Sequence, residues 1–236
     1  MSHFKIITVS VLLLLIIPHV YSQNITEDLK RINETYARLK DISMKVEYRV
    51  YDHYNSSNPI QVEHGYVVKN NELMINKIGN VEIISSAEYQ ITVNHDEKVI
   101  FLRSSDSSFQ ITPGMMYDNL EKMSSQFDNI EFVPGSSASE YVISFESAQF
   151  KKASIVFNKR TFFIEKITIF YKEGISLNSD ENDVKDQPKL EIEYSDIKTN
   201  AKINGDLITK YIQKENGTFT LSNEYRAYTL FNQLIN

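Results

Sequence analysis

The chain has 236 residues, of which 42% are hydrophobic and 24% charged, and this is enough to build one domain around a single core. The formal net charge of −6 argues against nucleic acid as a partner, because phosphate backbones bind basic surfaces. The lack of any cysteine excludes disulfide bonds and also a lipid-modified cysteine at an export cleavage site.

The N-terminus has the pattern of an export signal. Lys5 precedes the apolar run IITVSVLLLLII, which is too short to cross about 30 Å of hydrocarbon as a helix. Ser22 provides a small residue for a signal peptidase. We therefore expect residues 1–22 to be a signal peptide and residues 23–236 to be the mature domain, starting at Gln23. An uncleaved membrane anchor is the alternative.

The mature chain begins with a predicted amphipathic helix. Asn24 and Glu27 form a capping-box pattern. One apolar stripe follows at spacings of three and four residues, formed by Ile25, Leu29, Ile32, Tyr36 and Leu39.

The period then changes to two, which predicts antiparallel strands. In ISMKVEYRV the apolar residues are Ile42, Met44, Val46, Tyr48 and Val50, and they alternate with polar ones. In the next strand Val62, His64, Tyr66 and Val68 are expected to share the core face, with His64 as a hydrogen-bonded core histidine. Further strands are predicted at 72–77, 81–85, 88–93 and 98–102.

A second amphipathic helix is predicted in the middle of the chain. After the breaker Thr112-Pro113-Gly114, apolar residues recur at four, three and four positions, namely Met116, Leu120, Met123 and Phe127. Methionine suits a surface that repacks around variable apolar partners, but an ordinary core stripe has the same pattern.

Strands are predicted again in the second half of the chain. They include 129–133, 141–145 and the stretch 152–172, which turns near Asn158 and carries apolar residues at both parities. A strand with two apolar faces needs a cover on both of them. Later, DLITKYI fits either a short helix or a strand, and Asn216-Gly217 predicts a hairpin turn.

This order of elements resembles the LolA-like family of periplasmic lipoprotein carriers over nearly all of the mature chain. The most specific segments are ITEDLKRINETYARLK running into ISMKVEYRV, then HGYVVKN, ITVNHDEKVIFL, ISFESAQFKKASIVFNKRTFFIEKITIFYK and LEIEYSDIKTNAKI. The resemblance implies an α+β, mainly β fold: a strongly curved, unclosed antiparallel half-barrel with helices plugging its concave face. Asn70-Asn71 stands where the carrier has an arginine-proline pair, so the family's lid latch is absent or relocated here.

The resemblance also implies an apolar cavity that takes acyl chains. Its expected walls on the concave face are Met44, Val46, Tyr48, Tyr66 and Val68. The second helix would be the lid, through Met116, Leu120, Met123 and Phe127.

The sequence contains no motif that predicts an enzyme. His53, His64 and His95 are not spaced as a metal pair, and no nucleophile, zinc or phosphate-loop motif is present. We expect no catalytic residues, no metal and no cofactor. The function predicted is that of an exported periplasmic carrier of a lipid or lipoprotein acyl chain. The alternative is an envelope protein-interaction module whose cavity is filled by its own side chains.

Overall fold

The computed structural model describes residues 25–70, 73–105, 127–145, 149–172, 187–200, 207–215 and 217–234. These residues form two α-helices, one 3-10 turn and fourteen strands. In chain order they are α1 (Ile25–Arg38), β1 (Asp41–Tyr51), β2 (Gln61–Asn70), β3 (Leu73–Ile78), β4 (Val81–Ser85), β5 (Tyr89–Asn94), β6 (Val99–Ser104), β7 (Phe127–Val133), β8 (Ala138–Phe145), β9 (Phe150–Asn158), β10 (Ile164–Tyr171), β11 (Lys189–Thr199), α2 (Leu207–Tyr211), β12 (Ile212–Glu215), β13 (Thr218–Leu221), the 3-10 turn (Asn223–Tyr225) and β14 (Thr229–Asn232).

Twelve of the strands form one curved, open sheet in the order β14-β6-β5-β4-β3-β2-β1-β11-β10-β9-β8-β7. All pairs are antiparallel except β14 with β6, which is parallel. Strands β12 and β13 form a separate hairpin, and Gly217 in its turn has φ +83°. The predicted mainly β class, the unclosed antiparallel sheet, the first helix and the hairpin at Gly217 are confirmed.

The register shows that the two halves of the sheet bury opposite faces. Antiparallel partners point to the same side of a sheet, and successive residues alternate sides. Met44 is opposite Val67, and both are buried beneath α1, so we call this side the helix face. Val68 is on the other side, opposite Ile75, and Ile75 is buried with the C-terminal segment 207–234. We call that side the tail face.

The helix core lies between α1 and the strands β1, β2 and β8–β10. The apolar stripe of α1 inserts into it, as its 3.6-residue period predicts. Its buried residues are Leu29, Ile32, Tyr36, Ile42, Met44, Val46, Val67, Tyr141, Ile143, Phe145, Ala153, Ile155, Phe157, Ile164 and Ile167.

The tail core lies on the other face of strands β3–β6. The C-terminal segment covers it and then adds β14 to the sheet edge beside β6. Its buried residues are Ile75, Ile84, Ile91, Val93, Ile100, Leu102, Tyr211, Ile212 and Tyr225.

The predicted facing of β2 is wrong. Tyr66 is opposite Lys45 and Val68 is opposite Ser43, so both lie on the tail face, away from Met44 and Val46. The side chain of His64 is 75% exposed, with Nδ1 3.3 Å from a Glu47 carboxylate oxygen, and it is not a core histidine. The prediction failed because β2 carries apolar residues at both parities, so alternation alone does not identify the core face. The buried apolar residue of β2 is Val67.

The stretch 152–172 is apolar at both parities for two reasons. A bulge at Glu165 shifts the alternation, so Ile164 and Ile167 both face the helix core. On the tail face, Phe170 is covered by Tyr54 of the β1–β2 loop, with ring centroids 5.2 Å apart. The Tyr54 hydroxyl also donates a hydrogen bond to the carbonyl of Tyr171. The second face is therefore covered by a loop of the protein itself.

Candidate functional site

An apolar surface continues along the helix face beyond the reach of α1. The pairing of β3 to β6 places its side chains on the same side as Val67. Within the described residues they belong to neither core, and they are half-buried or exposed. We call this surface the apolar shelf; it consists of Ile78, Val81, Ile83, Val99, Phe101 and Phe231.

Strand β14 extends the apolar shelf at the edge of the sheet. Phe231 is paired with Phe101, and their rings stack with centroids 5.0 Å apart and planes at 15°. Phe231 is 44% exposed. A large aromatic ring that is partly exposed on a strand offers apolar area that a ligand or partner could cover.

A row of polar side chains borders the apolar shelf across β4, β5 and β6. Gln90 donates from Nε2 to Ser85 Oγ at 2.9 Å, and Arg103 donates from Nε to Gln90 Oε1. Ser85 and Gln90 are buried, so these hydrogen bonds hold the row in place.

Asn76 lies on the helix face between Val67 and Ile83. It is 2% exposed, and its Oδ1 has no hydrogen-bond partner in the part of the chain that the structure describes. A buried amide without a partner is costly and can accept a hydrogen bond from a bound molecule. The shelf thus combines apolar area with few polar groups, as small-molecule sites do.

The predicted cavity walls on β1 are part of the helix core. Met44 and Val46 are each 2% exposed, and Tyr48 packs half-buried against the same cluster. Burial raises the pKa of Tyr48, so its phenol is neutral at ordinary pH. The space between α1 and β1 is therefore filled by the protein's own side chains.

Of the four predicted lid residues, Phe127 lies within the described residues. Met116, Leu120 and Met123 lie outside the described residues and remain predictions. Phe127 does not end a helix: it is the first residue of β7 and packs against Phe145 with ring centroids 5.5 Å apart. Its side chain belongs to the edge of the helix core, and its spacing from Met123 was coincidental.

The sequence signal that could have identified the shelf is the mixed parity of strands β3 to β6. VEIIS and VIFL place apolar residues on both sides of their strands. One parity forms the tail core, and the other forms the apolar shelf. Only the register distinguishes them.

A second feature is a gap within the sheet between β10 and β11. Strand β11 pairs with β1 from Lys189 to Thr199 but with β10 only as far as Glu193. Residues 194–199 are therefore paired on one side only. We call this opening the strand gap.

Two bulges frame the strand gap. One lies in β10 at Glu165, and the other lies in β11, where the pairing with β1 shifts between Ser195 and Lys198. Asp196 in the second bulge has φ +50°, a left-handed conformation that is uncommon outside glycine. Bulges increase twist and end strand pairing, so the gap follows from these two irregularities.

The strand gap forms a groove of about 690 Å³ with mixed lining. Phe163, Tyr194 and Ile197 are its large apolar side chains, and all three pack at the edge of the helix core. Burial, together with the nearby Tyr48 and Tyr36, raises the pKa of Tyr194. The remaining lining residues are Val156, Asn158, Thr161, Glu165, Lys166, Glu193, Ser195 and Asp196.

A third feature is a buried polar network in the tail core. Tyr211 donates to a Glu82 carboxylate oxygen at 2.6 Å, and Lys77 Nζ is 3.1 Å from the other oxygen. His95 Nε2 is 3.7 Å from that second oxygen, and His95 Nδ1 lies 3.0 Å from the Tyr228 hydroxyl. The network joins the C-terminal segment to β3 and β4.

The ionisation of this network follows from its contacts. Burial alone would raise the pKa of Glu82, but the hydrogen bonds from Tyr211 and Lys77 and the nearby lysine charges outweigh it and lower that pKa. Burial and the Glu82 carboxylate raise the pKa of Tyr211. Glu82 is therefore an anion and Tyr211 a neutral donor near neutral pH.

Two kinds of feature are absent from the described residues. Among the described residues, no group of three histidine, aspartate or glutamate side chains could hold a metal ion. Within the same part of the chain, no helix has the length and apolar character needed to cross a membrane.

Comparison with known proteins finds similarity in structure alone. No protein-family model matches the sequence, and no curated protein matches it either. An uncharacterized conserved protein from Thermus thermophilus is similar with a TM-score of 0.49 and 8% identity, covering 89% of this chain and all of that one.

Two further solved structures are also similar to this chain. A LolA superfamily protein from Nitrosomonas europaea has a TM-score of 0.33 and 11% identity, covering 78% of this chain and 96% of that one. The lipoprotein LppX from Mycobacterium tuberculosis has a TM-score of 0.40 and 11% identity, covering 77% and 97%. A LolA superfamily protein is thus among the solved structures that are similar to this chain.

Proposed function

We propose that the protein is an exported, non-enzymatic binder or carrier of lipid, which holds an acyl chain on the apolar shelf. The observation that carries this proposal is the shelf itself: six apolar side chains on the helix face, outside both cores within the described residues, in two groups with Thr92 and Asn94 of β5 between them. In a signal-bearing protein of the Gram-negative envelope, such a surface fits lipid transport or the sorting of lipoproteins to the outer membrane.

The driving force would be transfer of the acyl chain from water to the shelf. Each buried CH₂ contributes about 0.8 kcal/mol, so a long chain gains on the order of 10 kcal/mol before costs. The loss of ligand freedom and the rearrangement of any covering segment offset much of this gain. The buried Asn76 amide would accept a hydrogen bond from a hydroxyl or amide near the chain's polar end.

A direct test is binding of a fluorescent fatty acid to the purified protein. We expect saturable binding to the wild-type protein. The variant Ile83→Ser/Phe101→Ser should bind at least about tenfold more weakly, because it removes apolar area from the centre of the shelf.

A control variant removes two exposed apolar side chains that lie outside the shelf. Ile60→Ser/Val62→Ser changes two side chains that are 51% and 41% exposed and lie outside the shelf. This variant should bind the probe like the wild type, with both variants remaining folded by circular dichroism. Equal loss of binding in the two variants, or no binding to wild type, would reject the proposal.

The lid remains part of the proposal. If the segment containing Leu120 and Met123 covers the shelf, polar substitution of both residues should weaken uptake of the fatty acid more than it lowers the unfolding free energy. An outright loss of folding would instead make that segment ordinary core.

A further inference from the structure

We propose that the strand gap binds an extended segment of a partner protein by adding it as a strand to the free edge of β11. This site lies between β10 and β11, so it is separate from the apolar shelf on β3–β6. The partner segment is expected to alternate apolar and basic residues.

The main argument is the unpaired backbone inside the sheet. Residues 194–199 of β11 pair with β1 on one side, while their other edge has no strand partner in the described chain. Strand edges present rows of N–H and C=O groups, which are satisfied by another strand or by water. An added peptide would restore the ladder, and this is a common mode of peptide recognition.

The groove offers room and side-chain pockets for such a peptide. Its volume of about 690 Å³ is open at the position that a strand between β10 and β11 would occupy. Phe163, Tyr194 and Ile197 line the part that adjoins the helix core. Every second side chain of an inserted strand would point to these residues, which favours apolar residues at those positions.

One acid of the groove, Glu165, favours a basic residue at the intervening position beside it. Glu165, Glu193 and Asp196 line it against one cation, Lys166. Glu193 is held by Arg49 at 2.8 Å, and Asp196 contacts two exposed lysines at 3.2 and 3.3 Å.

Glu165 is the acid of this groove that has no ion pair among the described residues. Its carboxylate accepts a hydrogen bond from Asn158 Nδ2 at 3.0 Å. A basic side chain on the bound peptide would complete this pairing.

A peptide fits these observations better than a lipid does. An acyl chain could fill the apolar part of the groove, but it would leave the backbone groups of residues 194–199 without partners and would bring no charge to Glu165. The two bulges leave one edge of residues 194–199 without a strand partner in the described chain, and a peptide backbone can pair with that edge whereas an acyl chain cannot.

The test uses three fluorescein-labelled eight-residue peptides and the purified protein. The first alternates valine and lysine, the second alternates valine and glutamate, and the third repeats the first with methylated backbone nitrogens. We expect the first to bind, and the other two to bind at least about tenfold more weakly. Hydrogen exchange of the complex should show added protection of those amides in residues 194–199 that face the gap.

A charge-reversal pair sharpens the test. Glu165→Lys should weaken the valine–lysine peptide about fivefold, whereas Glu131→Lys, on the exposed face of edge strand β7, should leave it unchanged. Protection at β7 or β14 instead of residues 194–199, displacement of the peptide by oleate, or no binding at millimolar peptide would overturn the proposal. None of these results depends on whether the apolar shelf binds a fatty acid.

Discussion

The helix half of the sheet (β1, β2 and β8–β10) and the tail half (β3–β6) bury opposite faces of the sheet under different covers. In the helix half, α1 covers one face of β1, β2 and β8–β10 with an almost wholly apolar interface. In the tail half, the C-terminal segment covers the other face of β3–β6, and its interface contains the charged network around Glu82. A strand has two faces, and either can become core if a suitable cover lies close enough.

Strand β2 marks the boundary between the two arrangements. Val67 belongs to the helix core, while its neighbour Val68 faces the tail side opposite Ile75. Tyr66 and Val62, on the same strand, are 37% and 41% exposed because neither cover reaches them within the described chain. The change of buried face at β2 leaves the opposite side of each half outside that half's core, and the apolar shelf lies on this opposite side in the tail half.

The few polar contacts in the helix core fix the position of α1. The Tyr141 hydroxyl donates to the buried Asp28 carboxylate at 2.8 Å, and the Tyr36 hydroxyl accepts from the Ile164 amide at 3.2 Å. Burial raises the pKa of Tyr36, which keeps this phenol neutral. The helix core therefore depends on apolar area, with two hydrogen bonds that orient the helix.

In the helix core, the largest expected loss of stability comes from placing a charge at position 46. Val46→Asp would bury a carboxylate beneath α1 and should lower the free energy of unfolding by about 4–5 kcal/mol. Glu47→Lys, one residue away on the tail face, should cost less than about 1 kcal/mol. Urea denaturation of both variants measures this, and equal losses would mean that the β1 register is wrong.

In the tail core, we expect the largest loss of stability from removing a single polar atom when the hydroxyl of Tyr211 is removed. Tyr211→Phe removes the hydrogen bond to Glu82 and should lower the free energy of unfolding by about 1–2 kcal/mol, because the buried carboxylate loses a donor. Tyr89→Phe is the matched control, since its hydroxyl contacts the exposed Lys214. The proposed network would be of no energetic consequence if the two variants had the same urea midpoint.

The independence of the two cores can be measured with a double-mutant cycle. Ile143 in the helix core and Ile91 in the tail core are both fully buried. Each Ile→Val change should cost about 1 kcal/mol, and the two costs should add within about 0.5 kcal/mol because the residues share no cluster. A coupling energy well above that value would show that the halves fold as one packed unit.

The smallest expected effect is a pH dependence that is specific to the tail core. The folded-state pKa of Glu82 lies below its unfolded value near 4.5, so its stabilisation is fully present above that pH and is lost as the pH falls through the folded-state pKa. The stability difference between wild type and Glu82→Gln should therefore shrink between pH 7 and pH 3. Urea midpoints at the two pH values give this difference, and a constant difference would contradict the ionised assignment of Glu82.

Part of the helix core was predictable because its pattern is local. The stripe of α1 and the strict alternation of β1 identify which of their residues are buried, and Met44 and Val46 are buried as expected. The facing of Tyr66 and Val68 was not predictable, because apolar residues occupy both parities of β2. Phe127 was misassigned because a spacing of four residues from Met123 fits a helix by chance, and pairing with β8 decides its actual state.

The sequence by itself determined the class of the protein: one export-signal pattern, one N-terminal amphipathic helix and a mainly antiparallel β domain without disulfides. These features depend on runs and periods within a few residues, which local sterics and burial enforce. Tertiary structure alone decided which face of each strand is core, where the apolar shelf lies and where the sheet opens between β10 and β11. Those outcomes depend on the register between distant strands and on the covers supplied by α1 and by the C-terminal segment, and alternation within a strand carries no information about either.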